Sequence, residues 1–147
     1  MKKIMNSTLL PIVLIIFLLG SCDVIKKLPT NTTGGVFSLN GNWRMESSTD
    51  NNALTGTTVS VYPISGEGMI TLIQNDTYCI RSNDVMWKNI VSANNGGFTV
   101  NNLANSCGGS LVYKTASLSV ITNDEVRLNG TTNSGNTLVQ TWRRVIK

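Results

Sequence analysis

The sequence predicts an all-β domain, an antiparallel up-and-down meander of eight or nine strands that closes into a barrel. Charged residues make up only 14% of the chain, and its polar residues are mostly Asn, Ser, Thr and Gly, which favour turns. From residue 37 onward, β-branched and aromatic runs alternate with turn-forming clusters at short, regular spacing. Because open sheet edges expose unpaired backbone, consecutive hairpins most simply close into a barrel.

The predicted strands are short apolar or alternating runs. Val59 and Val61 share one face of their strand, because side chains alternate in direction along a strand. Residues 69–73 and 138–146 are apolar on both faces, so part of their surface is expected to cover a barrel end, a linker or a partner. Strands are predicted at 42–47, 57–62, 68–74, 77–82, 85–92, 97–102, 111–122, 125–131 and 137–146.

The first 21 residues have the features of an export signal. A positively charged start precedes an apolar run at 9–19, which is shorter than the roughly 20 residues that a bilayer-spanning helix needs. The run ends in Gly20-Ser21-Cys22, which resembles the bacterial lipoprotein signal, where the cysteine thiol takes a diacylglycerol before cleavage on its amino side. An ordinary secretory signal and a single membrane helix are the alternatives. The resemblance predicts a lipidated Cys22 and a lipid-anchored location in the cell envelope, on the periplasmic or surface face of the outer membrane.

Three segments make up the predicted domain organisation. Residues 1–21 form the lipoprotein signal peptide, and residues 22–36 form the lipidated cysteine with a flexible tether. This tether contains Pro29 and two glycines and has no periodic hydrophobicity. A flexible chain of its length reaches on the order of 20 Å, enough to hold a domain just off the lipid headgroups. Residues 37–147 form the barrel domain.

The positive net charge of the chain does not indicate a nucleic-acid partner. Four of the twelve basic residues precede residue 37, and from there on eight basic and seven acidic residues leave a net charge of +1. Nucleic-acid binding depends on basic side chains that neutralise several phosphates. No basic stripe is left for that purpose, so nucleic acid is not expected as a partner.

The absence of histidine excludes much enzyme chemistry. The chain has no His, which removes the Ser/His/Asp and Cys/His nucleophile systems and the imidazole zinc sites. Its carboxylates are few and scattered in or beside predicted turns, so no acid–base pair or calcium loop is indicated. The sequence predicts a protein that is not an enzyme and needs neither a cofactor nor a metal.

Two motifs at the ends of the barrel domain resemble the lipocalin family, and most closely the small lipocalin-like lipoproteins of the Bacteroidetes. Gly41-x-Trp43 opens the first strand, and Arg144 lies late in the last one, with Arg143 as the alternative. The resemblance implies that Trp43 plugs a closed barrel end while the arginine stacks on its ring and caps backbone carbonyls. A C-terminal helix and the Thr-Asp-Tyr stretch typical of lipocalins are missing.

The remaining cysteines, Cys79 and Cys107, are an even pair in a chain expected to reach an oxidising compartment. This predicts a disulfide. Their separation of 28 residues corresponds to about 3 to 4 kcal/mol of stabilisation by loop closure. A reactive role is less favoured, because redox pairs are usually much closer in sequence.

A small-molecule pocket is the first functional hypothesis. Tyr62, Arg81, Trp87, Lys88 and Tyr113 are the side chains proposed to line it, although aromatics in small barrels more often pack the interior, and the direction of Trp87 is ambiguous. The chain would then bind a small apolar or amphipathic ligand in the barrel. The alternative is an accessory subunit that docks on another envelope protein through its exposed apolar strands.

Overall fold

The computed structural model describes residues 37–50, 54–62, 64–74, 79–105, 107–108 and 110–146. The predicted signal peptide and tether lie outside the described residues. Within the described part of the chain the regular structure consists of eight strands and no α-helix. The strands are β1 (Gly41–Ser48), β2 (Thr58–Tyr62), β3 (Glu67–Leu72), β4 (Val85–Ser92), β5 (Phe98–Asn105), β6 (Val112–Thr122), β7 (Glu125–Thr131) and β8 (Thr137–Arg144).

The strands form one closed antiparallel barrel. Each strand pairs with the next along the chain, and β8 pairs with β1. In the closing pair Trp43 stands opposite Arg144, and on its other side Trp43 stands opposite Val59. The all-β meander and its closure are therefore confirmed, with eight strands as the number.

The prediction of a strand at 77–82 is wrong for residues 79–82, which the structure describes. Residues 79–82 form a loop, and residues 77–78 lie outside the described part. Cys79 and Asn83 both have positive φ, 56° and 75°, which an extended strand does not allow. The Asp84 carboxylate also accepts a hydrogen bond from the Arg81 amide at 2.7 Å, which fixes a turn immediately before β4.

Large side chains fill the barrel interior. Trp43, Trp87 and Trp142 are all fully buried, so the ambiguous direction of Trp87 is inward. The rest of the core comes from alternate positions of the strands, as period-2 patterning requires. Its fully buried members include Met45, Val59, Ile70, Val100, Leu118, Val126 and Leu128.

A glycine makes room for Trp87 in the neighbouring strand. Gly68 stands opposite Trp87, and a Cβ at Gly68 would lie 2.9 Å from Val59 and 3.0 Å from the Trp87 ring. The register shifts directly after Gly68, which leaves Met86 without an opposite residue. This bulge explains why Met86 and Trp87, although adjacent, are both buried.

The two ends of the barrel differ in how they are built. The sealed end carries residues 37–40, the β2–β3, β4–β5 and β6–β7 connections, and residues 145–146 after β8. The disulfide end carries the β1–β2, β3–β4, β5–β6 and β7–β8 connections. Because β1 begins and β8 ends at the sealed end, the described chain both starts and finishes there.

Candidate functional site

Arg144 holds the sealed end together. Its guanidinium carbon lies 4.3 Å from the centre of the Trp43 ring, a cation–π distance. Its two terminal nitrogens donate hydrogen bonds of 2.6 Å to the carbonyls of Asn40 and Ser38, and its Nε donates to the Asn123 carbonyl at 3.1 Å. One side chain thus joins β8 to the segment before β1 and to the β6–β7 turn.

The surroundings of Arg144 also affect its titration. Burial lowers the pKa of the Arg144 guanidinium, and the Asp124 carboxylate, 3.5 Å away, acts in the opposite direction. Gly41 leaves space for this side chain, because a Cβ there would lie 3.0 Å from Arg144 Nη1 and its φ of +120° disfavours other residues. Arg143, the alternative basic residue, is an exposed side chain 3.3 Å from Glu125.

Residues 37–40 cover the sealed end from outside. The Phe37 ring is buried and lies 6.2 Å from Trp43 and 6.0 Å from Phe98, measured between ring centres. The Trp43 indole nitrogen donates to the Leu39 carbonyl at 2.8 Å. This segment is therefore an integral part of the barrel, and its packing blocks access to the interior from the sealed end.

A pair of contacting tryptophans, of which one is hydrogen-bonded, lies deeper in the interior. The Trp87 and Trp142 rings pack edge to face, with centres 4.8 Å apart. Trp142 donates to the side-chain oxygen of Gln140 at 3.1 Å. The Trp87 indole nitrogen and the Asn102 side-chain oxygen are buried without a hydrogen-bond partner in the protein, although these residues stand opposite each other on β4 and β5.

The space left inside the barrel is small. A cavity of about 30 Å³ lies near the disulfide end, where Met86, Leu103, Leu138 and Gln140 contribute to its lining. That volume has room for one or two water molecules. Pockets for organic ligands usually measure roughly 300 to 1,000 Å³. Among the residues that the structure describes, this cavity is therefore too small for the kind of ligand expected from the sequence.

The five side chains proposed to line a pocket do not come together. Tyr62 and Arg81 are exposed, while Trp87 is fully buried in the core. The Lys88 ammonium lies 4.2 Å from the centre of the Tyr113 ring, and Tyr113 donates to the Val85 carbonyl at 2.8 Å. Lys88 follows the inward-facing Trp87 and points to the opposite face, so this pair strengthens the outer wall and encloses no space.

The predicted disulfide is confirmed. Cys79 and Cys107 are bonded, with Cα atoms 5.1 Å apart, and they link the β3–β4 and β5–β6 connections. Ile80, next to Cys79, is buried against the core and lines the small cavity. The crosslink therefore holds an apolar cover over the disulfide end of the interior.

An open depression of about 420 Å³ lies on the outer wall, formed by β1, β2, β3 and the residue after β8. Its lining includes the polar residues Asn42, Ser60 and Thr71 and the apolar side chains of Tyr62 and Val145. Polar and apolar groups side by side suit an amphipathic molecule or a protein surface. The volume of this depression is within the range of sites for small organic molecules.

No protein-family model, curated protein or solved structure matches this chain. The strand pairing therefore defines the fold, and these comparisons show no family. Over the ranges that the structure describes, no helix is long and apolar enough to cross a membrane, and no three potential metal ligands come together.

Sequence reasoning missed two features of this arrangement. Phe37 and Leu39 precede the first strand, but they alternate with Ser38 and Asn40 in the same parity as Trp43, so their inward direction was detectable. Gln140 was detectable, because it has the same parity as Leu138 and Trp142 and must therefore face inward. A polar residue in an inward register is a signal for a buried hydrogen-bond partner.

Proposed function

We propose that this chain is a lipid-anchored, non-enzymatic protein of the cell envelope, attached through Cys22 to the outer membrane. The charged start, the short apolar run and Gly20-Ser21-Cys22 support the anchor. Fourteen residues separate Cys22 from Phe37, where the described barrel begins. The Trp43–Arg144 contact supports a lipocalin-like family, because it is the contact that the resemblance implies.

The proposed role is that of an accessory subunit that binds another envelope protein through its outer surface. The observation that carries this choice is the filled interior, where three buried tryptophans leave a cavity of about 30 Å³. A barrel whose interior is filled in this way offers its outer surface for recognition. Exposed Met69 and Leu72, on the strand predicted to be apolar on both faces, provide apolar contact area there.

The anchor is tested by Cys22→Ser. The thiol must be alkylated before the lipoprotein peptidase cuts, so the variant should take up no labelled palmitate and should keep its signal peptide. Cys79→Ser, which leaves Cys22 intact, is the control and should label like wild type. Equal labelling of the Cys22→Ser variant and wild type, or a wild type that stays soluble after cell lysis, contradicts the anchor.

The accessory role is tested by affinity purification from membranes solubilised in mild detergent. We expect an envelope protein to copurify in a stoichiometric amount, and we expect Met69→Glu with Leu72→Glu to reduce its recovery, since the two charges disrupt apolar contact. Thr115→Glu with Ser117→Glu, at exposed positions of β6, is the matched control. Recovery of the wild type alone, as a monomer, contradicts the role.

A small amphipathic ligand is the second candidate, and the outer depression favours it over the interior. With about 420 Å³ between Tyr62 and Val145, it has the volume of a ligand site. Native mass spectrometry of the protein extracted from its membrane should then reveal a noncovalent adduct that Tyr62→Ala abolishes. An adduct that persists in Tyr62→Ala contradicts binding at this depression.

A further inference from the structure

Exposed apolar side chains concentrate at the sealed end. Of the nine large apolar residues exposed in the described part, six lie near that end, and these are Tyr62, Ile64, Val91, Ile121, Val145 and Ile146. Ile64 is fully exposed, and 78% of Ile146 is exposed. Soluble proteins expose single apolar residues routinely, but a concentration at one end indicates a surface that meets something.

Four of these residues lie at one corner, which we call the apolar corner: Tyr62, Ile64, Val145 and Ile146. Gly41 pairs with Val61, so the start of β1 lies beside the end of β2. The Val145 amide donates to the Asn42 carbonyl at 2.8 Å, which continues the β8 side of β1 beyond Arg144. Tyr62 and Val145 line the same depression, and Ile64 and Ile146 follow them along the chain.

Charge around the apolar corner is largely neutralised. Arg143 pairs with Glu125, and Arg144 lies 3.5 Å from Asp124. Among the described residues, Glu67, opposite Tyr62 on β3, is a further carboxylate beside the corner. Apolar side chains without a strong surrounding field suit a partner that is recognised by burial of apolar area.

We propose that the apolar corner rests on the surface of the membrane that carries the anchor, with its side chains among the lipid headgroups. This inference rests on the proposed lipid anchor. The chain from Cys22 reaches the barrel at Phe37, which is packed against Trp43 at the sealed end, so a lipid on Cys22 brings that end toward the bilayer. Tyrosine and aliphatic side chains beside an anchored point are the groups that partition into the interface.

Contact of this corner with the lipid would orient the barrel, whereas the anchor alone only keeps it near the membrane. The fourteen residues between Cys22 and Phe37 limit how far the barrel can leave the surface, so the local lipid concentration at the corner stays high. Weak partitioning of a few side chains is then enough to orient the barrel. The disulfide end, with exposed Leu72 and Leu111 as its large apolar residues, would face away from the membrane.

Tryptophan reporters test this orientation, because the three native tryptophans are fully buried. The full-length protein is purified from membranes as Ile64→Trp, as Ile146→Trp, and as the control Leu111→Trp at the disulfide end. Each is reconstituted into vesicles of phosphatidylethanolamine and phosphatidylglycerol, with or without bromine on the acyl chains near the headgroup. Bromine quenches tryptophan only on contact.

We expect quenching of the Ile64→Trp and Ile146→Trp reporters to exceed that of the wild type by about twofold or more, and the Leu111→Trp reporter to match the wild type. Flotation of the same vesicles separates the two ways of failing. Protein that does not float overturns the anchor and the docking together. Protein that floats with unquenched Ile64→Trp and Ile146→Trp reporters overturns the docking alone, including the case in which blue-shifted emission shows the corner covered by protein.

Discussion

The two ends of the barrel close the same kind of opening by different means. At the sealed end, Arg144 joins Trp43 to the carbonyls of Ser38 and Asn40 through hydrogen bonds and ring stacking. At the disulfide end, one covalent bond between Cys79 and Cys107 joins two connections. The rings of Phe37, Trp43 and Phe98 pack together at the sealed end, and the small cavity lies near the other end. Noncovalent closure thus demands complementary packing, whereas a crosslink tolerates a residual space.

The largest expected loss of stability follows from removing the bond at the disulfide end. Replacing both Cys79 and Cys107 by Ser should lower the free energy of unfolding by about 3 to 4 kcal/mol, because the bond closes a loop of 28 residues. Urea denaturation monitored by tryptophan fluorescence measures this. Wild type treated with a reductant is the control and should unfold at the same midpoint as the variant. A loss below about 1 kcal/mol would show that packing alone closes this end.

The next largest loss of stability is expected from replacing Arg144 at the sealed end. Arg144→Met keeps the apolar stem but removes the donors to three carbonyls and the charge over Trp43, so we expect a loss of about 2 to 3 kcal/mol. Arg143→Met, which breaks an exposed pair with Glu125, should cost less than about 1 kcal/mol. Urea denaturation of both variants makes the comparison, and equal losses would contradict the assigned role of Arg144.

The smallest expected effect is a difference in stability between substitutions of Trp87 and Trp142, the two tryptophans in contact. Trp142→Phe leaves the Gln140 oxygen buried without its donor, and should cost about 1 kcal/mol more than Trp87→Phe, which removes an indole nitrogen that has no partner in the protein. The two substitutions delete the same atoms in contacting rings, so each serves as the control for the other. Thermal unfolding of both variants measures the difference, and a larger cost for Trp87→Phe contradicts it.

Period-2 alternation was enough to predict the strands of the barrel, because apolar residues recur at every second position of a strand that has one face buried. It failed where tertiary structure overrides the pattern. The strand predicted at 77–82 contains Cys79, whose positive φ belongs to the crosslinked loop. The directions of Met86 and Trp87 depend on the bulge at Met86, which no local pattern reveals.

The candidate site was less predictable than the fold. Tyr62, Arg81 and Lys88 were chosen for their chemistry, and residue type does not say which face of a strand a side chain occupies. Gly41, Trp43 and Arg144 were located through their resemblance to a known motif, and they lie together although about 100 residues separate the arginine from the other two. The apolar corner joins residues at and after the end of β2 with residues after β8. These two chain segments are neighbours only because β1 pairs with both β2 and β8.

Because β1 pairs with β8, the end of the barrel at which the chain starts can be changed without changing the strand pairing. Because the first and last strands are neighbours, a short linker could join residue 146 to residue 37, and the chain could be opened instead within residues 133–136, whose hairpin lies at the opposite end. Such a circular permutant would retain every strand pair while a lipid on its new N-terminus held the barrel upside down. Under the proposed anchor at Cys22, the end at which the chain enters the barrel would decide which loops face the lipid and which face the surrounding water.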